Sequence, residues 1–231
     1  MIMRNTYSIF ADVFRYPESN FTETLDRVSE YLLAHWPVAA AEFQRFSTYM
    51  KSVNDDQREE LYTKTFDVQP ICYLDLGYVI FGEDYKRGAF LLHMQEEQKK
   101  LNNDCGTDLP DHLSNMLTLM DISEDQLLRQ QLAHDILIPG TKKMIGEFEQ
   151  SRVELKEQVL RKLHKALIDH ELNFGNVYRN ALQALLIVLE TEFPVQEKPV
   201  EDANYGGFIP NPASFFQKRN ANTFENNYKL D

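Results

Sequence analysis

Apolar residues recur along this chain every three to four positions, the signature of helices packed on one face. Tyr7, Phe10, Ala11 and Phe14 share such a face, and Pro17 ends the segment. Phe21, Leu25, Val28 and Leu32 repeat at i, i+4, i+7 and i+11 in a second helix that closes near Trp36-Pro37. Phe43, Phe46 and Met50 mark a third. Asn54-Asp55-Asp56 reads as the cap of a fourth, which carries Leu61, Tyr62 and Phe66.

Across 70–101 the pattern predicts two helices. Pro70 starts one, Gly82 ends it in a left-handed cap, and Glu83-Asp84 puts negative charge at the start of the next. Phe90, Leu91, Met94 and Leu101 form the apolar face of the latter. Gly77 and Gly88 read as points of close packing around that turn. Asn102-Asn103-Asp104-Cys105-Gly106 is a turn, after which Asp108 reads as an N-cap with Asp111 three residues on. Leu113, Met116, Leu117 and Met120 follow at helical spacing. Ser123-Glu124-Asp125 opens a further helix, expected to stop near Pro139-Gly140. Residues 141–171 lack proline and predict one long helix, with Gly146 as the place for a bend. Val177, Ala181, Ala184, Leu185 and Val188 form the stripe of a last core helix over 176–192. Nowhere do several Val, Ile or Thr residues alternate between turn signals, so no sheet is expected.

After Phe193-Pro194 the periodicity fades, and Pro, Gly and Asn become frequent. Six aromatics persist there (Tyr205, Phe208, Phe215, Phe216, Phe224 and Tyr228), so this arm is expected to dock on its own body or on a neighbour. The expected fold is all-α: a single-domain bundle of about eight to ten helices over 1–193, with an irregular arm over 194–231.

Composition narrows the class. The 231 residues are 43% apolar and 12% aromatic, which argues against disorder, and two cysteines make no disulfide scaffold. Cys72 and Cys105 form no paired motif and suit a reducing compartment. The net charge is −12, and residues 141–165 alone carry +3, so the remainder carries −15. That balance disfavours nucleic acid and favours a basic partner. The longest apolar run, 184–189, is far short of the roughly 20 residues that cross a bilayer. The first residues lack the apolar block of a secretory signal. A cytoplasmic protein without membrane insertion is the expectation.

Catalytic patterns are absent. There is no phosphate loop, no dinucleotide fingerprint and no HExxH, and no two of the six histidines are three or four residues apart. The residues alone thus leave a helical domain for which no metal or cofactor is expected. Three local features stand out instead. They are Glu60-Leu-Tyr-Thr-Lys-Thr-Phe-Asp67, the stretch from Cys72 to Phe90, and Asp108-Leu-Pro-Asp-His-Leu113. Taken singly, each also reads as ordinary helix, helix–turn–helix or helix start.

In order and spacing these features resemble the NarJ/TorD/DmsD family of assembly chaperones for molybdenum-cofactor oxidoreductases. The resemblance rests on Tyr62 to Asp67, on Phe81 to Gly88 with its Phe-Gly-Glu-x-x-x-Arg-Gly pattern, and on Pro110-Asp-His-Leu113. It covers about residues 1–190. Gln69 to Tyr78 departs from typical respiratory nitrate reductase chaperones and looks closer to those serving related periplasmic enzymes. The resemblance implies an all-helical protein that binds the N-terminal or twin-arginine leader region of a catalytic subunit, as monomer or dimer. It implies a peptide site at the three features. Tyr62, Phe66, Tyr73, Leu76, Tyr78 and Phe81 would give apolar contacts. Asp67, Asp75, Glu83, Asp84 and Asp111 would pair with leader arginines. His112 would donate a hydrogen bond, unless it serves its own helix end. The preferred reading of Asp111 is nevertheless a cap on its own helix, and Arg87 could bind an anion or pair with Glu83 or Asp84. The rival expectations are a helical adaptor unrelated to molybdoenzymes and a small-molecule enzyme.

Overall fold

The computed structural model describes residues 6–149 and 177–194. The described residues are helical, with no strand among them. The helices are α1 (Thr6–Val13), α2 (Phe21–His35), α3 (Pro37–Ser52), α4 (Asp55–Phe66), α5 (Leu76–Phe81), α6 (Lys86–Lys100), α7 (Leu113–Ile122), α8 (Gln126–Gln131) and α9 (Val177–Glu192). A π-helical stretch, Leu132–Leu137, continues α8, and helical residues 138–149 follow without a break. Of the long helix expected over 141–171, the part beyond 149 lies outside the described residues, as does the aromatic arm after Pro194.

Each element buries the face its periodicity assigns. In α2, Phe21, Leu25, Val28 and Leu32 are buried, and in α3 Phe43, Phe46 and Met50 are. Pro37 starts α3 at the first turn, where its missing N–H costs nothing. Asn54 caps α4 in a full capping box. Its side chain accepts from the Gln57 amide at 2.9 Å, and the Gln57 side chain accepts from the Asn54 amide at 3.1 Å. Helix α9 packs along α3, α2 lies between α1 and α3, and α1 rests on α7.

The two ends of the described chain meet in a buried polar knot. Tyr7 Oη donates to Glu192 at 2.7 Å, and the Arg129 guanidinium reaches Glu192 at 3.3 Å. Arg129 is 2% exposed and also donates to the Met120 carbonyl at 2.5 Å. A buried guanidinium needs this density of partners, because an unpaired buried charge costs several kcal/mol.

Three local expectations are corrected. Pro70 does not start a helix: residues 67–75 form an irregular connection in which Gln69 takes φ +50°, and α5 begins only at Leu76. Its backbone bonds are found locally, since the Ile71 and Cys72 amides donate to the Thr65 carbonyl at 2.9 and 3.4 Å. Pro139-Gly140 does not stop the helix it follows. Proline clashes with the carbonyl four residues back, and the π-helical turn just before it widens the ladder where that clash would fall. The third correction concerns glycines. Gly82 ends α5 at a positive φ of +60° as expected, though its ψ of −132° lies outside the left-handed helical cap, and a side chain at Gly88 would meet only open space.

Gly77 is the opposite case. A Cβ there would lie 2.5 Å from Asp111 Oδ2 and 2.9 Å from the Phe90 ring. Gly77→Ala should lower stability by about 1–3 kcal/mol. Urea unfolding should show a lower midpoint with an unchanged slope.

Candidate functional site

Asp111 is fully buried, and its Oδ2 accepts the Gly77 amide at 2.8 Å. It therefore caps the start of α5, a helix 34 residues away in sequence, rather than its own helix. Helix α7 begins instead at Leu113, with His112 as its N-cap, so Asp108 is not the cap. Two backbone bonds run beside the Asp111 contact. The Leu76 amide donates to the Asp111 carbonyl at 3.1 Å, and the Leu113 amide donates to the Leu74 carbonyl at 2.9 Å. They flank an isolated antiparallel bridge between Asp75 and His112. In such a non-hydrogen-bonded pair the two side chains stand close together on one face.

That face is the wall of a cavity of about 740 Å³. Tyr62 and Phe66 of α4 line it, with Asp67 just after them. Tyr73, Leu74, Asp75 and His112 form a second side, and residues 104–109 with Asn115 a third. Arg15, Tyr16 and Glu18 from the turn after α1 complete it. Glu18, Asp67, Asp75, Asp104 and Asp108 thus face one cavity, and among the described residues Arg15 alone lines it with permanent positive charge. An amide network shapes the 103–110 loop. Gln98 Nε2 donates to the Pro110 and Asn115 carbonyls at 2.9 and 3.2 Å, and Asn115 Nδ2 donates to the Leu109 carbonyl at 2.9 Å.

The aromatic wall is braced from the core. Tyr62, Phe66 and Tyr178 of α9 pack edge to face, with centroids 4.7–6.1 Å apart. Tyr178 continues inward to Phe46 at 5.0 Å, and Tyr62 continues outward to the half-exposed Tyr16 at 5.4 Å.

Burial and charge crowding set the electrostatics. Burial raises the carboxyls of Asp67 and Asp75, and the neighbouring Asp108 charge raises both further, while His112 opposes. Burial lowers His112, against the attraction of Asp108, Asp75 and Asp67. Its Nδ1 lies 3.3 Å from the Ser114 amide, which can only donate. We therefore assign Nδ1 as an acceptor, which leaves the neutral ring its proton on Nε2.

The sequence-expected residues divide into two groups. Tyr62, Phe66, Asp67, Tyr73, Asp75 and His112 converge on the cavity. Leu76 and Asp111 lie in the interior beneath it. Phe81 packs on Phe90 at 5.5 Å, and Glu83 and Asp84 sit on an exposed turn, where Asp84 accepts the Lys86 amide at 2.9 Å. Tyr78 packs edge to face against Tyr73, with ring centroids 4.3 Å apart. Arg87 pairs with neither Glu83 nor Asp84 through its side chain; its guanidinium stands 3.6 Å from Asp75. Sequence reasoning passed over Arg15, Tyr16, Glu18, Asp104 and Asn115. The Tyr16-Pro17 break after α1 was visible, but nothing local indicated what faced it. Among the described residues no group of His, Cys, Asp and Glu is placed to hold a metal ion, and no helix is long and apolar enough to cross a membrane.

Burial, followed by the charge of Asp75, pushes Asp111 up to about 6, while the Gly77 amide pulls it down. A carboxyl raised on folding favours the folded state when protonated, and that contribution is lost as pH rises from about 4 through 6. Asp111→Asn keeps an acceptor for Gly77 without the charge. Relative to wild type the variant should gain up to about 3 kcal/mol between pH 4 and pH 7, read from paired denaturation curves.

The sequence matches no protein-family model and no curated protein. The family likeness therefore stands on the segments Tyr62 to Asp67, Phe81 to Gly88 and Pro110 to Leu113.

Proposed function

We propose that this protein is a cytoplasmic chaperone, without turnover of its own, for the catalytic subunit of a molybdenum-cofactor oxidoreductase. It binds the subunit's N-terminal or leader region and holds it until the cofactor is inserted and the subunit is assembled or exported. The observation that carries the reading is the meeting of the first and third motif segments, which lie about 40 residues apart in sequence: Tyr62, Phe66 and Asp67 of the one and His112 of the other line one cavity, joined there by Tyr73 and Asp75 from the connection that precedes the Phe81–Gly88 motif.

The chemistry of that cavity suits the proposed ligand. A leader carries a basic segment followed by an apolar one. Carboxylates around an aromatic wall meet a guanidinium by charge and by stacking, and the tyrosine and phenylalanine faces extend the contact to apolar side chains. Charge at the cavity mouth sets encounter rate and register, while apolar burial supplies most of the affinity.

The direct test is purification of the tagged protein from its native host under anaerobic conditions, with co-purifying chains identified by mass spectrometry. A molybdopterin-type catalytic subunit that lacks cofactor and retains its N-terminus supports the reading. Recovery of unrelated proteins only, under conditions where such a subunit is made, moves the protein to the helical adaptors. Asp67→Asn combined with Asp75→Asn should weaken binding of the subunit's N-terminal peptide about three- to ten-fold in calorimetry. The loss should shrink as salt is raised.

A further inference from the structure

Asp75 faces the cavity on one side and Arg87 on the other. The Arg87 guanidinium stands 3.6 Å from Asp75 Oδ2 and 5.2 Å from the centre of the Tyr78 ring. Tyr78 in turn packs against Tyr73, which lines the cavity. A carboxylate and an aromatic face are what a guanidinium ligand needs, and here one of the protein's own arginines already uses both.

We propose that Arg87 is an internal competitor for Asp75, displaced when an arginine side chain enters the cavity, and that it thereby sets the affinity and selectivity of the site. This rests on the cavity's being the peptide site described above.

Several features make Arg87 a weak occupant. Its 3.6 Å ion pair is longer than a charge-assisted hydrogen bond, which runs near 2.7–2.9 Å. Its Nε is buried without a hydrogen-bond partner among the described residues, so the guanidinium is incompletely satisfied where it lies. It stands in the first turn of the fifteen-residue α6, where the helix dipole disfavours positive charge. Asp84, on the preceding turn, is engaged with the Lys86 amide and lies 3.9 Å from the Lys86 ammonium. The Arg87 side chain is 28% exposed, so an exit to solvent is open without movement of the helix.

A ligand arginine that takes Asp75 frees Arg87, and the cavity's negative charge is neutralised from outside. A ligand lysine gains the same charge but not the flat stacking face, so it competes less well against a guanidinium already in place. The competition therefore favours arginine over lysine.

The test is calorimetric titration of the full chain with two synthetic peptides. One has an adjacent arginine pair ahead of a leucine-rich segment, and the other has lysines in place of the arginines. Arg87→Gln should bind the arginine peptide about three- to five-fold tighter than wild type. The gain should vanish in the Asp75→Asn background, where there is nothing to compete for. Where R87Q lowers the melting temperature, R87K carries the same test, with an expected tightening of about two-fold from loss of the stacked plane. Unchanged or weaker binding by R87Q and R87K, with wild type binding the arginine peptide, overturns the competitor role and leaves the peptide site standing. So does an equal gain in the Asp75→Asn background. No binding of either peptide to wild type or variants overturns both.

Discussion

The contact on which the site depends is the 2.8 Å hydrogen bond from the Gly77 amide to Asp111. It joins the start of α5 to the entry of α7, and only glycine permits it, since a Cβ would occupy the carboxylate's place. The backbone bonds on either side lock Leu74–Leu76 against Asp111–Leu113. Alternation along these short extended segments then does the rest: Asp111 points inward to the clasp, while Asp75 and His112 face the cavity. The arrangement costs desolvation, because the other Asp111 oxygen is buried without a partner among the described residues. A carboxylate in that position is a strong constraint on register, as a shift of one residue would send Asp75 and His112 inward and strand Asp111 outside.

Around this clasp the fold supplies rigidity from a distance. Tyr178 belongs to α9, far along the chain, yet its ring braces Tyr62 and Phe66 from behind. Helix α9 is itself held at its far end by Glu192, through Tyr7 and the buried Arg129. Its middle packs on α3. The aromatic wall of the cavity is thus the exposed edge of the core, continuous from Phe46 through Tyr178 and Tyr62 to Tyr16. Side chains fixed this way lose little further entropy when a ligand packs on them.

The helices were legible in the sequence because their signal is local. Periodicity placed α1 to α4, α7 and α9, and the Asn54 cap and the Gly82 turn follow from residue chemistry alone. What failed to show was whatever depends on two distant segments. Asp111 carries the local signature of a helix-start acid, and three residues earlier Asp108 looks like a cap, yet Asp111 caps a helix elsewhere and His112 takes the local role. Pro70 and Pro139 each carry a reliable local preference that tertiary context overrides, one by an irregular connection and the other by a π turn. The site was half legible for the same reason. Residues within the three motif-bearing segments could be named, but Arg15, Tyr16 and Glu18 come from the turn after α1, and no spacing rule links them to Asp75 or His112.

Crowded carboxylates give the cavity a preference that does not depend on the identity of any partner. Asp67 and Asp75 are each shifted toward the neutral form by burial and by the charge of Asp108. Such a cluster holds its charges under mutual repulsion, and that repulsion falls when a cation enters, whether a proton, Arg87 or an incoming side chain. A proton neutralises one group and brings no contact area. Among the described residues, Arg87 reaches Asp75 and leaves Asp67 and Asp108 with no ion pair beyond the 4.0 Å approach of Asp108 to His112. A side chain from outside can stand among the carboxylates and lie against Tyr62, Phe66 and Tyr73 at once. Of these cations it alone would couple relief of the repulsion to burial of apolar surface, and under the proposed function that coupling is what would turn a general attraction for positive charge into selection of a basic residue flanked by apolar ones.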